Sequence, residues 1–172
     1  TLDREPETRS LQSRLRRILS SSVSTAVLLW LMTPGFAQQL PTGGVVSAGS
    51  ASFARPNVST LNINQSSNQA IINWQSFSAG TGSTINFNQP GSSSATLNRV
   101  LGSTPSSIAG TINAPGTVLL VNPNGIAITR SGVINTGSFA ASTLDIKDSD
   151  FLAGRYKFSG TGGSAAVTTS GR

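Results

Sequence analysis

Residues 60–64 read Thr-Leu-Asn-Ile-Asn, and residues 84–88 read Thr-Ile-Asn-Phe-Asn. In both segments polar and apolar side chains alternate, which is the period of a β-strand with one face inward and the other toward water. The same alternation returns at residues 125–129 (Gly-Ile-Ala-Ile-Thr) and 143–147 (Thr-Leu-Asp-Ile-Lys). These four segments predict short, half-buried strands.

Turn-forming residues separate the predicted strands, for example Gln-Pro-Gly at 89–91 and Asn-Pro-Asn-Gly at 122–125. Gly and Asn accept positive φ, and Pro ends strand pairing. After residue 37, no segment keeps the apolar spacing of an amphipathic helix over three turns. The predicted fold class is therefore all-β, and spacing alone leaves a sandwich, a barrel and a solenoid open.

Three features favour the solenoid, although no fixed repeat period is visible. The predicted strands are short, and charged residues are sparse. Asn is also abundant beside the strands, as expected if side-chain amides hydrogen-bond between stacked coils. These residues are Asn62, Asn64, Asn73, Asn86, Asn88, Asn98, Asn113 and Asn135.

The core is expected to come from apolar side chains that alternate with polar neighbours or stand in short apolar runs between turns. They are Ile63, Ile72, Ile85, Phe87, Leu97, Leu120, Val121, Ile126, Ile128, Ile134, Leu144 and Ile146.

The first 37 residues read as an extended signal peptide. Arg-Leu-Arg-Arg at 14–17 precedes an apolar stretch at 23–32, which is too short for a membrane span of roughly 20 residues. Small residues at Gly35 and Ala37 fit signal peptidase, so cleavage is predicted between Ala37 and Gln38. The alternative is a buried helix of a cytosolic protein, which would make the basic flank and the cut site coincidental.

Two domains follow from this division: a signal peptide at residues 1–37 and a β-domain at residues 38–172. The chain begins at Thr1 without Met, so we expect its true start to be missing. After a Gly- and Ser-rich stretch at 159–164, Ala-Ala-Val-Thr at 165–168 resembles the start of another strand. We therefore expect the β-domain to be truncated at its C-terminus.

Composition excludes several kinds of chemistry. The sequence has no Cys and no His, which removes disulfides, thiol nucleophiles, Ser–His pairs and His-based metal sites. The net charge of +6 is not a nucleic-acid signal, because the basic residues after residue 37 are thinly spread and do not cluster on one face. We expect no cofactor and no nucleic-acid partner.

The acidic residues after residue 37 are Asp145, Asp148 and Asp150. A weak Ca²⁺ site is one interpretation. The spacing lacks the Asp-x-Asp-x-Asp-Gly order, however, and Lys147 interrupts it, so a solvated loop after a strand is preferred. Glycoside hydrolysis needs two facing carboxylates, which a single loop does not offer. Arg155 nearby keeps a polysaccharide lyase as a remote alternative.

Asn122-Pro123-Asn124-Gly125 lies between an apolar run at 118–121 and the strand-like residues 126–128. On residue chemistry alone it is a tight turn between two strands, since Asn-Gly is a favoured pair in such turns. Physical reasoning assigns it no further role.

Four segments in a fixed order resemble the N-terminal secretion domain of the two-partner secretion family. They are Ala-Ile-Ile-Asn-Trp-Gln-Ser-Phe at 70–77, Leu-Asn-Arg-Val at 97–100, Val-Asn-Pro-Asn-Gly-Ile at 121–126 and Ala-Ser-Thr-Leu-Asp-Ile at 141–146. The family includes filamentous haemagglutinins, high-molecular-weight adhesins and contact-dependent inhibition proteins. The likeness covers about residues 40–160, and a second Asn-rich motif that the family often carries upstream is not found.

The resemblance implies a right-handed parallel β-helix with capping strands at its N-terminal end. It also implies export by the general secretory machinery and signal peptidase of a Gram-negative bacterium. An outer-membrane β-barrel transporter with periplasmic recognition domains would then move the chain from the periplasm to the cell surface or medium. The implied recognition residues are Asn122, Pro123, Asn124 and Gly125, with Asn73 and Trp74 as weaker candidates.

The sequence thus predicts a non-catalytic secretion domain that nucleates β-helix folding during export. Trp74 has the apolar neighbours Ile71 and Ile72, which favour a core position for it over a contact position. The first rival function is a carbohydrate or host-surface adhesion domain that uses Trp74, Tyr156 and the polar faces. The second is the secreted β-helix lyase. A missing C-terminal part of the protein would bind any ligand on the surface of host or neighbouring cells.

Overall fold

The computed structural model of the chain describes residues 39–160 and 164–170. The predicted signal peptide and the cleavage site at Ala37 and Gln38 lie outside the described residues. The described part contains the strands β1 Val45–Ala48, β2 Ala51–Asn57, β3 Thr60–Gln65, β4 Gln69–Trp74, β5 Thr84–Asn88, β6 Ala95–Val100, β7 Ser106–Ile108, β8 Thr111–Val121, β9 Ile126–Ile128, β10 Val133–Ser142, β11 Asp145–Ile146, β12 Phe158–Ser159 and β13 Val167–Thr169, and the short helix α1 Asp148–Leu152.

The strands stack in parallel on three faces of a solenoid. On the first face β3 pairs with β5, and β5 and β10 pair with the first part of β8. On the second face β4 pairs with β6, and β6 pairs with the second part of β8. The second part of β8 also pairs with the second part of β10. On the third face β7, β9 and β13 are parallel neighbours. The chain is therefore a parallel β-helix, as the sequence predicted, with about four coils.

A ladder of amides joins the coils along the first face, as predicted for the Asn residues there, whereas Asn73 and Asn98 lie on the second face and do not join it. Asn86 donates to Asn62 across 24 residues, Asn113 to Asn86 across 27, and Asn135 to Asn113 across 22. The donor-to-acceptor distances are 2.9, 2.9 and 3.3 Å. Because the coils differ in length, the sequence shows no fixed repeat period.

The N-terminal end of the solenoid is capped by antiparallel strands, as expected. β1 runs antiparallel to β4, and β2 runs antiparallel to β3. The Phe53 ring of β2 lies 5.2 Å from the Trp74 ring, centroid to centroid. The cap thus closes the first coil with both backbone pairing and aromatic contact.

Period-2 alternation is confirmed on the first face, where Ile63, Ile85 and Phe87 point into a buried interior cluster. Ile72, Leu120 and Ile126 belong to the same cluster. The prediction also placed Ile128, Ile134 and Leu144 in the core, but these three residues are only partly buried. For Ile134 the reason is that β10 pairs with β8 on one side and has no described strand on the other.

Leu97, Val121 and Ile146 are buried outside the solenoid, in a second cluster. Residues 143–159, which we call the outer arm, form β11, α1 and β12 and lie against the outward side of the second face. Phe151 and Ile146 cover a row of aligned side chains there, formed by Ile71, Leu97 and Leu119. At about 1.5–3 kcal/mol for each large apolar side chain, this burial contributes substantially to stability.

The outer arm also corrects two expectations. The strand predicted over residues 143–147 is only Asp145–Ile146, and the predicted solvated loop contains α1. Among the described residues, no helix is both long enough and apolar enough to cross a membrane.

Candidate recognition site

The Asn122–Gly125 segment turns a corner of the solenoid. It follows β8 and precedes β9, which belong to different sheets, so it is not a hairpin turn. The Gly125 amide donates to the Asn122 carbonyl at 3.1 Å. Gly125 has a φ of 107°, a conformation that side chains disfavour, which explains Gly at this position.

Asn122 is fully buried, and both ends of its amide are used within the domain. Its Nδ2 donates to the Thr104 carbonyl at 3.0 Å and to Ser106 Oγ at 2.9 Å. Its Oδ1 accepts from the Asn124 backbone amide at 2.9 Å. A carboxylate has no hydrogen to donate and a hydroxyl has only one, so neither could make both Nδ2 bonds and also accept at Oδ1.

Asn124 extends the same network to residues 101–105, which we call the clamped loop. Its Nδ2 donates to the Gly102 carbonyl at 2.8 Å. Gly102 in turn lies so close to the Gln75 carbonyl that a Cβ atom would collide with it. The two Asn residues therefore hold the clamped loop against the solenoid, while Pro123 stays exposed.

The weaker candidates, Asn73 and Trp74, differ in exposure. Trp74 is 2% exposed, packs edge-on against Phe77 and donates through Nε1 to Asn98 Oδ1 at 3.0 Å. Trp74 is therefore a core residue, in agreement with its apolar neighbours in the sequence. Asn73 is half-buried, and its buried Oδ1 finds no donor among the described residues.

Two clefts bring Pro123 and Asn73 to the same surface. A cleft of about 120 Å³ is lined by Pro123, Leu101 and Asp145 among others. A second, of about 280 Å³, is lined by Asn73, Leu101 and the Trp74 ring among others. Leu101 lines both clefts and is 65% exposed. Sequence reasoning missed it, although it follows directly on the family-like segment Leu-Asn-Arg-Val at 97–100.

Beside the first cleft, Arg99 holds the acidic residues of the outer arm. It donates to Asp145, Asp148 and the Ile146 carbonyl, each at 2.8 Å. Burial lowers the pKa of Arg99, but its hydrogen bonds to the two carboxylates and their charge outweigh burial and raise that pKa above its ordinary value.

The third acid, Asp150, pairs with Arg155 at 2.7 Å. Asp145 and Asp148 thus fasten the outer arm to β6 through Arg99, whereas the pair of Asp150 lies within the arm. In the described part of the chain, no three His, Cys, Asp or Glu side chains are grouped to hold a metal ion.

Comparisons with known proteins agree with this architecture. The chain is similar to the crystal structure of the HMW1 secretion domain from Haemophilus influenzae, with a TM-score of 0.71 and 33% identity. The match covers 76% of this chain and 35% of that one.

Two curated relatives are called heme/hemopexin-binding protein. One, from Haemophilus influenzae, is 33% identical over 126 residues, which is 73% of this chain and 13% of the relative. The other, from Haemophilus influenzae strain Rd, is 38% identical over 115 residues, which is 64% of this chain and 12% of the relative. The chain therefore spans about an eighth of the length of these relatives.

A family model described as the TPS secretion domain matches residues 37–171, which include all the described coils of the β-helix. The resemblance read from four sequence segments is thereby confirmed. The chain belongs to the TPS secretion domain family, the secretion domains of exported two-partner secretion proteins.

Proposed function

We propose that residues 38–172 are an export domain recognised in the periplasm by a dedicated outer-membrane β-barrel transporter. Residues 1–37 direct the chain through the general secretory machinery and are then removed by signal peptidase. The exported protein reaches the surface or medium of a Gram-negative bacterium. The family match over the whole described β-helix is the observation that carries this proposal.

Within this function, the Asn122–Gly125 turn acts as a support for the recognition surface. Asn122 is fully buried and its amide is used internally, so it does not present a side chain to a partner in the folded domain. The two Asn residues fix the clamped loop. The transporter then contacts exposed atoms of this corner, including Pro123.

The domain also starts the folding of the β-helix outside the cell. The antiparallel cap covers the first coil, and each later coil pairs in register on the one before it. Each coil buries several large aliphatic side chains, worth about 1.5–3 kcal/mol apiece before conformational entropy is subtracted. Folding that proceeds coil by coil therefore biases transport outward without ATP.

Catalysis has no part in the proposed function. A lyase would need carboxylates and a base facing a substrate groove. Here Asp145 and Asp148 are bound to Arg99, and Asp150 is bound to Arg155. Asp145 and Asp148 fasten the outer arm and Asp150 is paired within it, which supports a non-catalytic role.

Adhesion by this domain is less well supported than export. Trp74 is buried, and Tyr156 stacks on Phe151 at 5.8 Å. The amides of the first face bond to one another between coils. Haem or hemopexin binding is also not assigned to this domain, because its match covers 13% or less of the relatives with that name.

Co-expression with the two-partner secretion transporter of the same genome tests the proposal. The chain is produced in a Gram-negative host with and without that transporter, and immunoblots compare periplasmic with extracellular protein. We expect extracellular protein only when the transporter is present. If intact cells released the same amount of extracellular protein without the transporter, the transporter would not be needed for export.

A further inference from the structure

The exposed side chain of Leu101 is held in place by the fold. Its backbone amide donates to the Trp74 carbonyl at 2.8 Å. The next residue, Gly102, is pressed against Gln75 and accepts a hydrogen bond from Asn124. Leu101 is therefore a 65% exposed apolar side chain in a loop that is fixed from both sides.

The surroundings of Leu101 supply both apolar and polar recognition chemistry. Clefts of about 120 and 280 Å³ lie on its two sides. Pro123 adds apolar surface to the first cleft. In the second cleft Asn73 adds a polar part to the lining, although its Oδ1 atom is itself buried.

The cations Arg55 and Lys147 near this surface form no ion pair with any described residue. Exposed Arg55 donates to the Pro41 carbonyl, two residues before Gly43 of the second cleft. Exposed Lys147 lies two residues after Asp145 of the first cleft. Asp145 and Asp148 are already paired with Arg99. A complementary partner therefore carries acidic groups around an apolar centre.

We propose that Leu101 is the anchor through which this domain docks on the periplasmic part of its transporter. The Leu101 side chain enters an apolar pocket of the transporter, and acidic groups of the transporter face Arg55 and Lys147. Asn122 and Asn124 are positioning residues, since they act through the clamped loop. The inference rests on the proposed function and names the contact that it uses.

The test measures binding of the periplasmic part of the transporter, purified from the same genome. The domain is isolated from the periplasm of cells that lack the transporter. Leu101→Gln keeps the size of the side chain but loses its apolar end, so we expect affinity to fall about 10-fold or more. Leu101→Met fills the same pocket and should stay within about threefold of wild type.

Val58→Gln is the matched control, because Val58 is 85% exposed and lies at the turn between β2 and β3. It should bind as wild type does. All three variants should keep the wild-type melting temperature, since they change exposed positions. Binding should also weaken as salt is raised, and more so for wild type than for Arg55→Glu with Lys147→Glu.

The outcomes separate this inference from the function itself. If wild type binds and Leu101→Gln binds equally well, Leu101 is not the anchor, while transporter recognition stands. If both Leu101 variants lose affinity to the same extent, the contact is not apolar and the inference is again wrong. If wild type neither binds the transporter nor depends on it for export, the proposed function fails.

Discussion

The Asn124 side-chain amide donates a 2.8 Å hydrogen bond to the Gly102 carbonyl, which joins the Asn122–Gly125 turn to the clamped loop. Asn122 makes the parallel bond to Thr104 at 3.0 Å. Two corners of neighbouring coils thereby become one unit. Both bonds require a donor, which Asp at these positions would not provide.

Replacing both residues, Asn122→Asp and Asn124→Asp, should therefore uncouple the clamped loop. The double variant places carboxylates against the carbonyls of Gly102 and Thr104, and we expect it to lose about 2–4 kcal/mol of stability. It should reach the periplasm and lose its leader normally, yet fail to appear outside the cell. Extracellular and periplasmic amounts, together with thermal melts, measure both effects.

Gln65→Glu is the control for general destabilisation. Gln65 is buried like Asn122, and its Nε2 donates to the Ser67 carbonyl at 2.8 Å, with no hydrogen bond to the clamped loop. If it is exported in spite of a comparable loss of stability, the export defect belongs to the turn. Normal export of the double variant would show that the two Asn side chains are not needed for export.

Leu120→Asp should unfold the domain, because Leu120 is fully buried in the interior cluster. An unpaired carboxylate there would cost more than about 4 kcal/mol. Leu152→Asp, at a 44% exposed position, should change stability little. Circular dichroism melts of both variants measure the contrast, and an unchanged melt for Leu120→Asp would show that the assigned register is wrong.

Arg99→Gln should loosen the outer arm while leaving the solenoid folded. Its partners Asp145 and Asp148 are 57% and 53% exposed, so solvent screening limits the loss to about 1–2 kcal/mol. We expect faster hydrogen exchange across α1 and more binding of a hydrophobic dye to the uncovered row. Arg155→Gln, whose arginine is 63% exposed, should have a smaller effect on both measurements.

The contribution of Arg99 should not depend on pH in the physiological range. Its pKa is raised in the folded state, so its stabilising effect is complete below the ordinary pKa of arginine and is lost only as pH rises through the still higher folded-state pKa. The difference in melting temperature between wild type and Arg99→Gln should therefore be equal at about pH 6 and about pH 8. A clear difference between the two would implicate another titrating group.

Gly44→Ala should disturb the cap. A Cβ at Gly44 would lie 2.5 Å from Cζ3 of Trp74. The backbone at Gly44 would have to move away from the Trp74 ring, and we expect this to lower stability by about 1–3 kcal/mol. Trp74 is the sole Trp after residue 37, and its fluorescence should shift. Gly91→Ala is the matched control, since its Cβ would meet no atom within 4 Å. Equal melts for the two variants would contradict the close packing.

Cleavage of the leader remains a prediction from sequence. The exported protein should begin at Gln38 or at its cyclised form, because Gly35 and Ala37 provide the small residues that signal peptidase reads. N-terminal sequencing or mass spectrometry of the secreted protein measures this. A start more than a few residues away would move the domain boundary.

The sequence by itself determined the first face of the solenoid. Period-2 alternation at residues 60–64 and 84–88 depends on local strand geometry, so it predicted which side chains point inward. The amides from Asn62 to Asn135 followed from the same alternation, because polar residues at equivalent strand positions stack between coils. The family-like segments likewise located the turn at Asn122–Gly125.

Only the tertiary structure decided what covers the second face. Both sides of β6 are buried, one in the interior and one under the outer arm. Polar and apolar residues therefore do not alternate in β6, and the sequence does not show to which side the Leu97 side chain points. The arm that covers it is joined to Arg99 across 46 to 49 residues of sequence, beyond the reach of any local pattern. The burial of Asn122 and the exposure of Leu101 have the same cause, because both depend on contacts between neighbouring coils.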